Sequence, residues 1–328
     1  MAGRHTNLAL LWATILALVT GGAAFTVGTS GGRWVIVAHG VVALAIIVLA
    51  PWKTVIARRG IRRRGPGRGL SVGLTVVTLL ALVTGVALVT GSVDSIGPFT
   101  IMQLHVALGL LTVSLTVIHT LQRPAAHRAT DLSKRNALRV GALLTAAGGL
   151  WLTVESLVRF TGGRGSERRF TGSHEIVDAE DVPFTQWIND TVQHLDPETH
   201  RISILGIDHS VVELAMTGDV IEATLDCTGG WYTTQEWAGT RLDHLLGSAQ
   251  GQSVVVRSVT GYWRRFPLAQ APLLLLATHV AGSPLRDGNG GPVRLVAPDR
   301  RGYWWVKWVA AIDVDDRPSW WQPPLPTA

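Results

Sequence analysis

The chain contains a single thiol, at Cys227. The segment before it, residues 220–226, alternates apolar and polar side chains with a period of two, which predicts a half-buried strand. Cys227 falls on the same face of that strand as Ile221, Ala223 and Leu225, and Thr228-Gly229-Gly230 then turn the chain. A thiol at a strand end beside glycines is placed to reach a ligand. A lone cysteine forms no intrachain disulfide and is usually a small buried hydrophobe, so its context must show whether Cys227 binds a ligand.

Three histidines lie inside apolar stretches, where lipid offers a coordinating side chain no partner. His105 and His119 are nearly four helical turns apart, so they share a face at a separation of about 21 Å. His39 is expected at the depth of His105, near the outer ends of their spans, and the two together suit the axial positions of one b-type haem. Two alternatives stay open. His39 and His105 hydrogen-bond across the bundle without a haem, or a second haem binds at His119, although Lys53 stands where a partner on the second span is needed.

The apolar residues gather in the first half of the 328-residue chain, which is 47% hydrophobic and only 16% charged overall. A helix needs about 20 apolar residues to cross a bilayer. The composition excludes an ordinary soluble protein and predicts an α-helical membrane bundle of five spans followed by a globular domain. The expected spans are residues 8–27, 34–50, 70–90, 101–121 and 140–158.

Arginine and lysine gather in two of the loops, at residues 51–69 and after the fourth span, whereas the turns at 28–33 and 91–100 hold only Arg33. Because positive loops stay in the cytoplasm, we expect the N-terminus inside, the second half outside the cytoplasm and the protein in the cell membrane. The net charge of +6 is then a topology signal, and lipid rather than nucleic acid is the expected partner. Four arginines directly after the fifth span oppose this orientation: Arg159, Arg164, Arg168 and Arg169.

A segment before the fifth span offers an export route that fits the orientation. Residues 133–139, Ser-Lys-Arg-Asn-Ala-Leu-Arg, resemble a twin-arginine signal in which Lys134 replaces the first arginine and Ala137 the usual large apolar residue. The span behind it is rich in glycine and alanine, as in such signals. An ordinary basic loop before a helix is the alternative.

The segment that contains Cys227 carries a family resemblance. Cys-Thr-Gly-Gly-Trp at 227–231 and Trp-Ala-Gly-Thr-Arg-Leu at 237–242 resemble the molybdenum-ligating segment of sulfite-oxidase-type enzymes. Further motifs keep the family's order at residues 258–262, 275–278, 280–285, 291–298 and 302–309. The resemblance covers roughly residues 202–314. It implies an α+β, sulfite-oxidase-like domain that binds molybdopterin.

The same resemblance implies roles for individual residues. Cys227 would give molybdenum a thiolate, a soft donor suited to such a metal. Arg294 and Lys307 stand at the family's basic positions and would bind the phosphate of the pterin. Tyr262 would lie near the metal. Relatives commonly carry histidine where this chain has Asn289, which can donate a hydrogen bond but cannot titrate.

The order of the parts resembles bacterial membrane-anchored molybdopterin oxidoreductases, and also the methionine-sulfoxide reductase system in which a haem membrane subunit serves a molybdenum protein. We expect a cytochrome b-like domain at 1–130, a signal, fifth span and linker at 131–165, and the molybdopterin domain at 166–328. The expected enzyme, a molybdenum-dependent oxidoreductase, takes quinol electrons through the haem and removes oxygen from a small sulfoxide-like substrate. The alternatives are a sulfite-oxidase-like dehydrogenase of opposite direction, a non-catalytic membrane-anchored binding domain and a small transporter.

Other polar and aromatic residues of the second half are predicted to have structural roles. Five arginines are read as a solvated face rather than a substrate-attracting rim: Arg257, Arg264, Arg265, Arg300 and Arg301. The tryptophans are read mostly as core rather than as an electron path. The histidines outside the spans show no metal-ligand spacing.

Overall fold

A computed structural model describes residues 3–62, 68–122, 131, 133–185 and 191–326, without the side chains of 59–62. The chain divides into two compact units, one of residues 1–25 and 30–174 and the other of residues 26–29 and 175–328. Each unit is described by itself.

The first unit is built from long helices. In chain order they are α1 (Gly3–Thr26), α2 (Arg33–Arg62), α3 (Arg68–Thr90), α4 (Ile101–Gln122) and α5 (Lys134–Thr161), with a short hairpin of β1 (Ser95–Ile96) and β2 (Phe99–Thr100) between α3 and α4. Among the described residues, all five helices are long and apolar enough to cross a membrane. Large apolar side chains such as Leu79, Val83 and Leu110 are exposed on them, as is typical of lipid-facing positions. The five predicted spans are confirmed, and this half is that of a multi-pass membrane protein.

One predicted boundary is wrong. The loop expected from residue 51 is helical as far as Arg62, because α2 continues through Pro51. Proline removes one backbone donor, and a membrane helix tolerates that loss where neighbouring groups satisfy the freed carbonyl. Parts of both predicted basic loops, residues 63–67 and 123–130 with Arg63, Arg64, Arg123 and Arg128, lie outside the described residues.

The second unit alternates short strands with short helices. After β3 (His174–Glu175) come β4 (Arg201–Ile204), β5 (Ile207–Ser210), α6 (Val211–Met216), β6 (Asp219–Asp226), β7 (Trp231–Arg241), α7 (Leu242–Leu246), β8 (Ser253–Ser258), β9 (Trp263–Pro267), β10 (Leu275–Val280), β11 (Ser283–Pro284), β12 (Arg294–Val296) and β13 (Val309–Asp315). One sheet pairs β6 with β7, β7 with β10, and β10 with β11 and β12. The other has the order β5-β4-β13-β8-β9, in which only β4 and β13 run parallel. The domain is therefore α+β, as expected.

The strand predicted before Cys227 is confirmed as β6. It pairs antiparallel with β7 from Asp219 to Asp226, and the amide of Cys227 donates to the carbonyl of Trp231 at 2.9 Å. Gly230 closes the turn with a φ of 94°, a conformation that favours glycine. Ala223, Leu225 and Cys227 are buried together in the core, so the predicted shared face is also confirmed.

Two apolar segments of this unit are only partly strand. The run at 271–280 is the buried strand β10 preceded by a 3₁₀ turn. The last strand, β13, begins only at Val309. Residues 302–304 form a 3₁₀ turn and Trp308 has a φ of 50°, and both conformations interrupt an extended chain.

Candidate functional site

The thiol of Cys227 lies at the end of β6, only 7% exposed, among polar groups that face its sulfur. The amide of Gly229 donates to Sγ at 3.3 Å, and the thiol donates to the hydroxyl of Thr185 at 3.4 Å. The same hydroxyl accepts from the indole of Trp231 at 3.2 Å. Burial raises the pKa of the Cys227 thiol, although Thr185, Gly229 and two nearby cations oppose that rise. Burial therefore favours the protonated thiol, and a metal that binds this sulfur must displace its proton.

An ion pair fixes the chain on either side of that sulfur. Arg301 donates to the carboxylate of Asp226 at 2.5 Å and to the carbonyl of Cys227 at 3.2 Å. The side chains of Arg301 and Asp226 are 3% and 2% exposed. The desolvation cost of a buried ion pair is offset only when its geometry is good and further hydrogen bonds are made.

The prediction of a solvated arginine face is therefore wrong for three residues. Arg264, Arg265 and Arg301 are all buried. Arg264 lies over the rings of Tyr262, Tyr303 and Trp304, and Arg265 pairs with Asp315, so aromatic faces and a carboxylate replace the water that a guanidinium normally keeps. Among the five arginines, Arg257 forms a solvent-exposed ion pair, with Asp313, and both side chains are about half exposed.

Arg294 is a buried cation, and one of its hydrogen-bond donors has no partner among the described residues. It is 3% exposed and lies 5.4 Å from the ring centre of Trp237 and 5.5 Å from that of Trp305. Its Nη1 donates to the carbonyl of Asn289 at 2.8 Å, and its Nε is buried with no hydrogen-bond partner among the described residues. Burial lowers the pKa of Arg294 to about 10, against the opposing influence of Cys227. A buried guanidinium in this state attracts an anion.

Lys307 joins the loop of Asn289 to the loop of Thr185. Its ammonium donates to the carbonyl of Thr185 at 2.9 Å and to the carbonyl of Gly288 at 2.8 Å. A side chain at Gly290, where φ is 98°, would come within 2.8 Å of the Lys307 side chain, so the close approach requires glycine. The structure thus brings Cys227, Asn289, Arg294 and Lys307 into one cluster, with Thr185 and Arg301 as members that the motifs did not indicate.

Tyr262 takes part in a different set of contacts. Its hydroxyl donates to the carbonyl of Tyr303 at 2.5 Å and accepts from Nε of Arg264 at 2.6 Å. These bonds attach the turn between β8 and β9 to the loop that follows Arg301. They do not join Tyr262 to Cys227, and its place near the metal stays a prediction.

The first unit contains a second pair of ligand-type side chains. The imidazoles of His39, on α2, and His105, on α4, face each other with ring centres 6.0 Å apart and planes at 87°. His119 lies in the last turn of α4, away from this pair along the helix. His39 and His105 therefore lie side by side, as their predicted equal depth requires.

The second unit matches known proteins. Residues 189–321 match the oxidoreductase molybdopterin binding domain family. The chain is 29% identical to mitochondrial sulfite oxidase of Homo sapiens over 175 residues, which cover 40% of this chain and 32% of that protein. It is 31% identical to the catalytic subunit MsrP of the protein-methionine-sulfoxide reductase of Xanthomonas campestris pv. campestris over 109 residues, which cover 27% of this chain and 34% of that protein. It thus spans about a third of the length of these curated relatives.

Among solved structures, the sulfane dehydrogenase SoxCD of Paracoccus pantotrophus aligns with a TM-score of 0.36 at 24% identity, over 38% of this chain and 40% of that one. The family match confirms the resemblance seen in the motifs around Cys227. Residues 189–321 are therefore similar to an oxidoreductase molybdopterin-binding domain, in a chain whose described residues include five helices of membrane length in the first half.

Proposed function

We propose that this protein is a membrane-bound molybdopterin oxidoreductase that passes electrons between the quinone pool, a b-type haem and an extracytoplasmic molybdenum centre. The observation that carries the proposal is the Arg294 guanidinium, which is buried near the Cys227 thiol and, unlike Arg265 and Arg301, has no carboxylate partner among the described residues. An anionic cofactor with a metal would satisfy both groups. Molybdopterin is such a cofactor, and the family match supports it independently.

Each residue of the cluster has a task in this proposal. Cys227 gives the metal a soft thiolate, and the amide of Gly229 keeps one hydrogen bond on that sulfur. Arg294 and Lys307 bind the pterin phosphate through charge-assisted hydrogen bonds, while the carbonyl of Asn289 orients Arg294. Arg301 holds the carbonyl of Cys227 and so fixes the direction in which the thiol points. When bound, the cofactor supplies two-electron oxygen-atom chemistry.

The substrate proposed is a small sulfoxide-like molecule, reduced by removal of its oxygen atom. The similarity to a catalytic subunit of a methionine-sulfoxide reductase supports this class. The similarity to sulfite oxidases supports the second candidate, a dehydrogenase that runs in the opposite direction.

The distance between the two facing imidazoles fits a haem iron. Ring bonds of about 1.33 Å place Nε2 about 1.1 Å from the ring centre, and a metal–imidazole bond is about 2.0 Å long. Two imidazoles on one iron then have centres about 6.2 Å apart. The separation of 6.0 Å between His39 and His105 is close to this value, so we assign the axial positions of one b-type haem to them. We assign His119, in the last turn of α4, no place at this iron.

The orientation proposed places the N-terminus in the cytoplasm and the molybdenum domain outside it. The charge asymmetry of the loops supports this orientation. Export by the twin-arginine route through residues 133–139 belongs to the same proposal. Ser133 precedes the first residue of α5, so the motif stands at the start of that span.

The test uses the full chain, purified in detergent from molybdenum-replete cells. A quinol should reduce the haem, and methionine sulfoxide should then reoxidise it, whereas the Cys227→Ser variant should show the first step alone. Haem reduction by sulfite instead would support the dehydrogenase. A protein with neither response and no molybdenum would be a binding domain, and the proposed function would be wrong.

A further inference from the structure

The membrane bundle contains an internal sequence repeat. Residues 17–23 read Ala-Leu-Val-Thr-Gly-Gly-Ala and residues 81–87 read Ala-Leu-Val-Thr-Gly-Val-Ala, so the two segments differ only at Gly22 and Val86. The first copy lies on α1 and the second on α3. Each is followed by a helix that carries one of the facing histidines, His39 on α2 and His105 on α4. Each of the facing histidines is therefore preceded, one helix earlier, by a copy of the same motif.

Both copies make the same contacts with their histidine. In the first, Nδ1 of His39 lies 3.1 Å from the carbonyl oxygen of Ala17 and 3.2 Å from the hydroxyl of Thr20. In the second, Nδ1 of His105 lies 2.9 Å from the carbonyl oxygen of Ala81 and 3.2 Å from the hydroxyl of Thr84. The repeated motif thus places one carbonyl and one hydroxyl on the same nitrogen of each ring.

These contacts decide which nitrogen carries the proton. A backbone carbonyl only accepts hydrogen bonds, so each Nδ1 must be protonated. The threonine hydroxyls donate elsewhere, Thr20 to the carbonyl of Leu16 at 2.6 Å and Thr84 to the carbonyl of Leu80 at 2.9 Å. Their lone pairs therefore face Nδ1–H as second acceptors. Both rings are held in the tautomer whose Nε2 is free to bind a metal.

The glycine of each motif lets the ring lie against the neighbouring helix. A Cβ at Gly21 would come within 3.0 Å of the His39 ring, and a Cβ at Gly85 within 3.1 Å of the His105 ring. Such a contact would displace the imidazole from its two acceptors. In each copy, the glycine, the threonine hydroxyl and the alanine carbonyl therefore act together to position the histidine ring.

We propose that Thr20 and Thr84 are positioning residues that hold and tune His39 and His105, the two imidazoles that would bind the iron of a single haem. The inference rests on the proposed haem and adds to it the residues that set its properties. An acceptor on Nδ1–H raises the basicity of the ligating nitrogen, which favours ferric over ferrous iron. The pair therefore lowers the reduction potential and fixes the perpendicular arrangement of the rings.

The experiment compares Thr20→Val and Thr84→Val with Thr14→Val and Thr78→Val in the full chain. Thr14 and Thr78 lie on the same two helices and donate to their own backbone carbonyls, of Leu10 at 2.9 Å and Leu74 at 2.7 Å, so they match the effect of the substitution on the helix. Potentiometric titration of the haem should show a raised midpoint potential in Thr20→Val and Thr84→Val, summing in the double variant to an up to tenfold change in the reduction equilibrium, or about 59 mV. The low-spin ferric signal should also change, because it depends on the angle between the ring planes.

Each outcome decides the proposal. We call the contacts of Thr20 with His39 and of Thr84 with His105 the clamp. Two results support it: potential shifts at Thr20 and Thr84 that exceed those at Thr14 and Thr78 and that Thr→Ser variants reverse, or haem loss confined to the Thr20 and Thr84 variants. Shifts no larger than in the control variants overturn the clamp while leaving His39 and His105 as ligands. A wild-type protein without haem overturns the ligand assignment itself and the clamp with it.

Discussion

The carboxylate of Asp226 and the guanidinium of Arg301 form a 2.5 Å ion pair that is almost completely closed to solvent, directly beside the metal-binding candidate Cys227. The same guanidinium donates to the carbonyl of Cys227, and Gly302 lies close enough that an added Cβ would meet the Cys227 Cα at 3.2 Å. The ion pair, the hydrogen bond and the close approach at Gly302 thus hold residues 301–302 against the end of β6. These contacts fix the position of the Cys227 sulfur.

Breaking the pair at one end should destabilise the domain strongly. Asp226→Asn leaves Arg301 as an uncompensated buried charge, which costs about 3–5 kcal/mol of unfolding free energy. The double variant Asp226→Asn/Arg301→Met removes that charge and should recover much of the loss. The exposed pair of Arg257 and Asp313 is the matched control, where Asp313→Asn should cost less than about 1 kcal/mol. Denaturant unfolding of the four proteins measures these differences, and equal losses at both pairs would contradict the role given to burial.

Replacing Arg294 should separate cofactor binding from stability. Arg294→Met removes charge-assisted bonds that contribute about 1.5–3 kcal/mol each, so retention of molybdopterin should fall about 10- to 100-fold. The cofactor-free protein should unfold at a higher temperature than the cofactor-free wild type, because a buried cation without an anionic partner is gone. Pterin content and thermal unfolding measure the two effects, with Arg257→Met as the control. Unchanged pterin content would exclude Arg294 from the site.

The pair of Arg265 and Asp315 should make stability depend on pH in the acid range. The hydrogen bond from Arg265 holds the pKa of Asp315 at about 2, below its ordinary 3.8. A depressed pKa stabilises the fold above the unfolded value, and that stabilisation is lost as pH falls from about 4 to about 2. In Asp315→Asn the unfolding midpoint should depend less on pH over this range. The midpoint of the variant at pH 7 measures the loss of the pairing with Arg265. A slope that persists in the variant would assign the acid dependence to other groups.

Cys227→Ser should abolish turnover and leave the haem spectrum unchanged. The substitution replaces a soft sulfur donor with a hydroxyl that binds such a metal poorly, and His39 and His105 are untouched. Substrate-dependent reoxidation of the haem and the reduced haem spectrum are the two readouts. Full activity in the variant would exclude the thiolate from the reaction.

Periodic patterns in the sequence were sufficient for the parts of the fold that depend on near neighbours. The alternation before Cys227 predicted β6 because a strand with one buried face must repeat every two residues. The length of the apolar stretches predicted the five spans, because a helix needs about 20 apolar residues to cross a bilayer. It could not show that α2 continues through Pro51 beyond its apolar stretch.

Features that depend on distant partners were less accessible. Arg264, Arg265 and Arg301 looked like surface residues because charge normally marks exposure, and only the fold shows the rings and carboxylates that bury them. Thr185 lies in no motif and reaches Cys227 through tertiary structure alone. The roles of Thr20 and Thr84 did leave a signal, the motif Ala-Leu-Val-Thr-Gly at 17–21 and 81–85, although the same five residues also occur at 87–91.

The molybdenum content of the assembled wild-type protein decides whether the cluster around Cys227 holds a molybdenum cofactor. Full-length protein from molybdenum-replete cells would be compared by elemental analysis with Cys227→Ser and Arg294→Met prepared in the same way. The account predicts stoichiometric molybdenum in the wild type and a marked deficit in Arg294→Met. A wild-type protein that is folded and carries haem but holds no molybdenum would contradict it.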